Sequence, residues 1–209
     1  PEQPAFAGAE AQADSLQAIA QDYEALTMSA DPSEAAREEN RAPRQWADVT
    51  PEHIQQLAEQ ASALRIRLQA LEDQSTPEWK ILSHLLDNYI AEAEFDTARM
   101  PFNGDWGFQA EPIYAARQVR ISDEDDAEAW IARVNDLPRY FDDHIANMKR
   151  GISTGWTSHK DPLATTTAQI REQAALEPEA SGLYAPLKTL PDTIDASTQE
   201  ALRASGKQA

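Results

Sequence analysis

The chain has 209 residues, with 18 Lys and Arg against 36 Asp and Glu, a formal net charge of -18, and no Cys. This composition excludes disulfides and cysteine chemistry within the chain, and it offers no basic footprint for nucleic acid. No run of about 18 apolar residues occurs, so the sequence predicts no membrane-spanning segment. The scarcity of Gly, with 7 residues, and the prevalence of Ala, Glu, Gln and Leu predict an all-α fold.

The chain begins with a small, polar stretch, PEQPAFAGAEAQA, and without Met. The composition of residues 1–12 predicts a flexible lead-in. Such a start is typical of what remains after a leader is removed, so we expect that one has been removed by a peptidase or by design of the expressed segment.

The first half of the chain predicts amphipathic helices that pack as an antiparallel bundle. The first is expected from about Asp14 to Met28, where apolar residues recur at helical spacing. Thr50-Pro51-Glu52 and Thr76-Pro77-Glu78 each combine a capping threonine, a proline in the first turn and an acidic residue, and each predicts a helix start. In the polar stretch between the first two helices, Trp46 is the one large apolar anchor.

Residues 100–109, MPFNGDWGFQ, break the helical periodicity. They combine two glycines and a proline with Met100, Phe102, Trp106 and Phe108. A loop this apolar is expected to pack on the bundle or to line a cleft.

In the second half of the chain, the sequence pattern predicts a helix from Ser122-Asp123 and a kink or restart at Pro138. A further helix is expected to end at Arg150. Gly151 is expected to be the left-handed residue just after that end. Asp161-Pro162 has the pattern of a new helix start, with Asp161 as the cap.

The last part of the chain is expected to leave the bundle. Residues 177–196 are rich in Pro, Ser and Asp and predict an extended connector. Ser197-Thr198-Gln199-Glu200 is a capping box that opens a helix, which then stops after a few turns. The predicted organisation is a lead-in over 1–12, a helical bundle over 13–176, and a connector with the start of a truncated helix over 177–209.

No complete catalytic constellation is visible in the residues. The four histidines are isolated from one another, so the paired His and Glu of a helical zinc motif are absent. Glu92 and Asp96 share a helix face, where like charges repel. This pair leaves open a divalent-metal-binding acidic protein, although a solvated helix face explains it more simply.

The order of these features resembles the N-terminal part of the bacterial domain-of-unknown-function 885 family. The resemblance extends over most of the chain from about residue 16 and rests on an ordered set of short motifs. They are Tyr23-x-x-Leu26, Asp31-Pro32, Trp46-x-x-Val49-Thr50-Pro51-Glu52, Asn103-Gly104-Asp105-Trp106-Gly107, Trp130-Ile131-x-Arg133-Val134, Leu137-Pro138, Met148-Lys149-Arg150-Gly151-Ile152-x-x-Gly155-Trp156-Thr157 and Ala185-Pro186.

The resemblance implies a secreted or lipoprotein-type helical protein of the cell envelope, periplasmic or exported, that looks like a zinc metallopeptidase. In that family the HE-x-x-H-type zinc motif lies in the C-terminal half, so no metal ligand or general base can be placed on this chain. The implied function is the non-catalytic half that frames a peptide-substrate cleft in a larger helical fold. Its implied partners are the zinc-bearing C-terminal half, or a second chain, and a peptide.

The residues expected to face that cleft come from two loops. They are Asn103, Asp105 and Trp106 in the aromatic loop, and Arg150, Trp156 and His159 in the loop around residues 150–159. Arg150 is the candidate cation for a peptide carboxylate. The alternative is a helical binding or scaffold module without enzymatic activity, in which the apolar loop is a docking surface.

Overall fold

The computed structural model describes residues 4–102 and 106–209, which form helices and no strand. One isolated antiparallel bridge joins Phe102 to Gly107. This confirms the predicted all-α fold class. None of the described helices is both long and apolar enough to cross a membrane. The helices are α1 (Pro4–Ala30), α2 (Pro32–Glu38), α3 (Pro51–Gln69), α4 (Pro77–Phe95), α5 (Glu111–Gln118), α6 (Glu124–Asn135), α7 (Leu137–Thr154), α8 (Lys160–Ala174), α9 (Ala185–Lys188) and α10 (Ala196–Gln208).

The chain divides into two compact units. Unit 1 comprises Pro1–Asp31 and Thr50–Thr97, and unit 2 comprises Pro32–Val49 and Ala98–Ala209. The domain boundaries that we expected after residues 12 and 176 stay a prediction.

Unit 1 consists of α1, α3 and α4. The two predicted threonine caps are confirmed: Thr50 Oγ1 accepts the backbone N–H of His53 at 3.3 Å, and Thr76 Oγ1 accepts that of Trp79 at 3.2 Å. Helix α1 begins at Pro4, well before the expected start near Asp14, so residues 4–12 of the expected lead-in belong to it. The core of the unit is formed by the buried residues Ile19, Leu26, Leu57, Ala61, Leu64, Leu68, Leu82 and Leu86.

Unit 2 holds the segment that we expected to be an extended connector, and this segment is not extended. It forms two short 3₁₀ turns, Pro178–Ala180 and Gly182–Tyr184, followed by α9. Trp130 Nε1 donates to the carbonyl of Leu183 at 2.9 Å. Four apolar side chains of the segment are buried against α6 and α10, and this burial holds the chain in place although its composition is that of a linker. They are Tyr184, Leu187, Leu190 and Ile194.

The end of α7 also differs from the prediction. The helix continues through Gly151 to Thr154, and Gly155, with φ of 76°, is the left-handed residue after it. Trp156 N–H donates to the Gly151 carbonyl at 2.9 Å, and Gly155 N–H donates to the Ile152 carbonyl at 3.4 Å. This pair of bonds is the Schellman closure of a helix. Gly151 is needed for another reason: a Cβ there would lie 2.5 Å from the carbonyl oxygen of Trp156 and 2.8 Å from that of Arg99.

Two helices of unit 2, α7 and α8, begin close to their predicted starts. Helix α6 ends at Asn135 and α7 begins at Leu137 with a proline in its first turn, so Pro138 restarts the helix. Helix α8 begins at Lys160, and its cap is His159 rather than Asp161, because His159 Nδ1 accepts the Asp161 N–H at 3.4 Å. Helix α5 was not predicted, because its 8 residues directly follow the glycine-containing aromatic loop.

Candidate functional site

Trp46 belongs to a buried aromatic cluster in unit 2. Its ring lies 5.3 Å from that of Tyr140, and the predicted role as an apolar anchor is confirmed by its burial. Trp46 Nε1 donates to the Arg133 carbonyl at 2.7 Å, and the Trp46 backbone N–H donates to Asp136 Oδ2 at 2.8 Å. The other members are Phe102, Phe108, Phe141 and His144.

Charged side chains lie next to this aromatic cluster. Arg139 donates to both oxygens of Asp136, at 2.8 and 2.7 Å, and to Asp143 at 2.8 Å. Burial alone would raise the pKa of the Asp136 carboxyl, but the bonds from Arg139 and from the Trp46 N–H hold it below its ordinary value. Asn147, which is fully buried, donates to the Val49 carbonyl at 2.6 Å. Together these bonds attach the segment before α3 to α7.

Two titratable side chains inside the cluster are strongly perturbed. Tyr140 donates to Glu111 at 2.6 Å, and burial together with that bond raises the pKa of its hydroxyl. His144 stacks on Phe108 with ring centroids 4.3 Å apart. Neither nitrogen of His144 has a hydrogen-bond partner among the described residues. Burial, with the charge of Arg139, lowers the pKa of His144 from 6.5 to about 4. The ring is therefore a neutral packing element at neutral pH.

A groove of about 470 Å³ lies beside this cluster, also within unit 2, and we call it the α5–α8 groove. Its walls come from α5, α7, α8 and the turn at residues 181–183. Its volume falls within the range typical of small-molecule and peptide-side-chain sites. The lining residues are Gln109, Ala110, Pro112, Ile113, Tyr114, Arg117, Leu137, Phe141, Gln169, Ile170, Gln173, Ala174, Ser181 and Leu183.

Tyr114 organises one wall of the groove. Trp106 stacks on it with ring centroids 4.8 Å apart and an interplanar angle of 29°. The Arg117 guanidinium lies 5.5 Å from the same ring, within the range of a cation–π contact. Tyr114 and Arg117 are three residues apart on α5, and this spacing places them on one face of the helix.

A second, smaller hollow of about 130 Å³ lies near the end of α7. Trp156 lines it, and the Arg99 guanidinium lies 4.8 Å from the Trp156 ring. Arg99 also donates to Thr154 Oγ1 at 3.0 Å. This hollow is too small for more than a single side chain.

The described residues of the predicted site fall in different places. Trp106 stacks beside the α5–α8 groove, and Trp156 lines the smaller hollow. Arg150 donates to Asn147 Oδ1 at 2.9 Å, and His159 is an exposed cap of α8. Asn103 and Asp105 lie outside the described residues. A role for these six residues in a cleft stays a prediction.

Sequence reasoning missed Tyr114, Arg117 and Ile170. The signal for the first two was available: Glu111-Pro112 is an acid followed by a proline, as at other helix starts in this chain, and Tyr114 and Arg117 follow at helical spacing. Ile170 lies on α8, 53 positions after Arg117, and is 38% exposed in the groove.

A sequence profile of the family described as "Bacterial protein of unknown function (DUF885)" matches residues 11–209. The chain belongs to this family. No curated protein and no solved structure matches the chain significantly. Membership in DUF885 confirms the resemblance seen in the sequence motifs, and the family's description names no activity.

The zinc implied by the resemblance finds no ligand set in the part of this DUF885 chain that the structure describes. Over residues 4–102 and 106–209, no group of three or more His, Asp and Glu side chains could hold a metal ion. The zinc that the resemblance implies for a C-terminal half stays a prediction.

Proposed function

We propose that this DUF885 chain is a non-catalytic, peptide-binding part of a metallopeptidase-like protein of the cell envelope. Its role would be to frame the substrate cleft. The observation that carries the proposal is the α5–α8 groove, which is open, mostly apolar and lined on one side by Tyr114, on which Trp106 stacks. Apolar walls with a few polar groups are the usual character of a site for peptide side chains.

The α5–α8 groove is built partly on α7, a helix that several hydrogen bonds fix in place. Phe141 lines it from α7, and α7 is fixed to the segment before α3 through Trp46, Arg139 and Asn147. Rigid helices hold a binding wall in position better than loops do, because less conformational entropy is lost when a ligand binds.

Under this proposal the chemistry comes from elsewhere. The C-terminal half of the same protein, or a second chain, would carry the zinc ion and its general base, and this chain would hold the peptide against them. Zinc supplies a Lewis acid and a nucleophilic water when it is bound in such a site.

The test is purification from the natural source under native conditions, with intact-mass and zinc analysis of whatever is obtained. A zinc-containing assembly that hydrolyses peptides and that holds this chain non-covalently or as part of a longer polypeptide supports the proposal. A single species of about 23.2 kDa, without zinc and without peptide hydrolysis, contradicts it.

A helical binding module without enzymatic activity is the second candidate. It is favoured by the exposed apolar end of α7, where Ile152 and Trp156 are 70% and 46% exposed. Exposed apolar side chains close together are typical of docking surfaces. Tight binding of a protein partner that Ile152→Ser and Trp156→Ser abolish, in a preparation without peptide turnover, would decide for this second candidate.

A further inference from the structure

The side chains of helix α8 are poorly buried by the rest of unit 2. None of its described residues is buried. Ile170 of α8 and Tyr114 of α5 line the same groove and remain 38% and 44% exposed. An apolar side chain placed between them would remove water from both, and that burial is the principal driving force for association.

The charge of the groove is opposite in sign to that of the chain. Asp and Glu outnumber Lys and Arg by 36 to 18, yet Arg117 is the only charged side chain among the described residues that line the groove. No described carboxylate forms an ion pair with it, and its contact is with the face of the Tyr114 ring. A guanidinium next to apolar walls is well suited to a carboxylate, which it can bind through two parallel hydrogen bonds.

The remaining polar lining is uncharged. Gln169 and Gln173 lie four residues apart on α8, on the face that borders the groove. A side-chain amide both donates and accepts hydrogen bonds, so it can pair with either group of a peptide bond. The lining thus combines an apolar slot, amides for a peptide backbone, and one cation.

We infer that the α5–α8 groove binds the C-terminal end of a peptide, with a large apolar last side chain between Tyr114 and Ile170 and the terminal carboxylate on Arg117. This inference rests on the proposed function and makes it more specific, because it names the end of the peptide that this chain recognises. It also moves the carboxylate-binding role from Arg150, which is bonded to the buried Asn147, to Arg117.

Calorimetric titration of the 209-residue chain tests the inference with two probes that differ only at the terminus. They are N-acetyl-Ala-Ala-Leu-Phe with a free carboxylate and the same peptide with a C-terminal amide. We expect the acid to bind at least about tenfold more tightly than the amide, as for a charge-assisted hydrogen bond in a partly desolvated site.

Three variants locate the binding. Arg117→Gln should bring the affinity for the acid down to that for the amide. Arg120→Gln, an exposed cation just after α5, is the matched control and should change neither affinity. Ile170→Ala should weaken both peptides by about threefold to thirtyfold, because it removes apolar contact without touching the cation. All three side chains are exposed, so folding should be unaffected.

The outcomes separate the two proposals. Equal affinities for acid and amide, with both weakened by Ile170→Ala, would overturn the C-terminal assignment and leave a peptide-binding groove. Binding that responds to none of the groove variants would place the peptide elsewhere and overturn the inference alone. If neither peptide bound at millimolar concentration, the cleft-framing role of this chain would fail together with the inference.

Discussion

The guanidinium of Arg133 lies over the ring of Trp46, with Cζ 3.9 Å from the ring centroid, while the Trp46 indole N–H donates to the backbone carbonyl of the same Arg133 at 2.7 Å. The two residues are 87 positions apart in the sequence. One side chain thus binds α6 through both a hydrogen bond and a cation–π contact, and it attaches the segment before α3 to α6.

Trp46→Ala should therefore lower the free energy of unfolding by about 3–5 kcal/mol, because it leaves a cavity and an unpaired buried carbonyl. Trp46→Phe should cost less, about 1–2 kcal/mol, since a smaller aromatic ring still fills most of the site while the N–H donor is lost. Urea unfolding followed by circular dichroism measures both. Trp156→Ala, at an exposed ring, is the control and should stay within about 1 kcal/mol of the wild type. Equal effects at positions 46 and 156 would contradict the anchoring role.

His144 should make the protein acid-sensitive. Its pKa is lowered to about 4 in the folded state, against an ordinary value of 6.5, so the unfolded chain binds the proton more readily between these two values. The contribution of the neutral ring to stability is fully present above pH 6.5 and is lost as the pH falls toward 4. The loss should be on the order of 3 kcal/mol.

The measurement is urea unfolding at a series of pH values between 7 and 4 for the wild type and for His144→Phe. The variant keeps an aromatic ring against Phe108 but cannot be protonated, so its stability should depend less on pH in this window. His84→Phe removes an exposed histidine and is the control. Parallel pH profiles for the wild type and His144→Phe would show that His144 is not responsible.

Gly151 and Gly155 should respond differently to alanine. At Gly151 a Cβ would lie 2.5 Å and 2.8 Å from two backbone carbonyl oxygens, which cannot move away cheaply. Gly151→Ala should therefore destabilise unit 2 by about 2 kcal/mol or more, although helix propensity alone would favour alanine there by about 1 kcal/mol. Gly155→Ala meets no atom within 4 Å but must adopt φ near 76°, which should cost about 1 kcal/mol. Thermal unfolding of the two variants measures both effects. If Gly151→Ala raised the stability, the close approach of the two carbonyl oxygens to Gly151 would be disproved.

A substitution of Leu187 tests whether residues 177–196 belong to the core of unit 2. The side chain is 1% exposed, so Leu187→Ala should reduce the free energy of unfolding by about 2–5 kcal/mol. Leu176→Ala, just before the segment and 38% exposed, is the matched control and should cost less than about 1 kcal/mol. An extended connector would tolerate both substitutions equally, and chemical unfolding of the pair distinguishes the two cases.

Some features of the fold depend only on interactions within about four residues, and these were predictable. Thr50 and Thr76 cap their helices because the hydroxyl acceptor and the N–H donor are three residues apart in the sequence. The restart at Pro138 follows from the lack of an amide hydrogen and the fixed φ of proline. The all-α class follows from composition and from the repeated 3.6-residue pattern.

The candidate site was less predictable, because its residues come from separate helices. Arg117 and Ile170 are 53 positions apart, as counted from their numbers, and nothing local relates them. Of the six residues that we expected in a cleft, the four that are described lie at separate places. The apolar composition of a loop indicates that the loop packs on the rest of the protein. It does not indicate which residues the loop packs against.

Most of the long helices, most of their starts and the family could be predicted from the sequence, since each depends on short-range patterns or on an ordered set of motifs. Which glycine ends α7 depends on tertiary packing, because the role of Gly151 depends on the backbone of Arg99, 52 positions earlier in the numbering. Tertiary packing also buries His144 and makes Arg117 the cation of the groove. Burial and close approach depend on the packing of distant segments, and no local pattern encodes them.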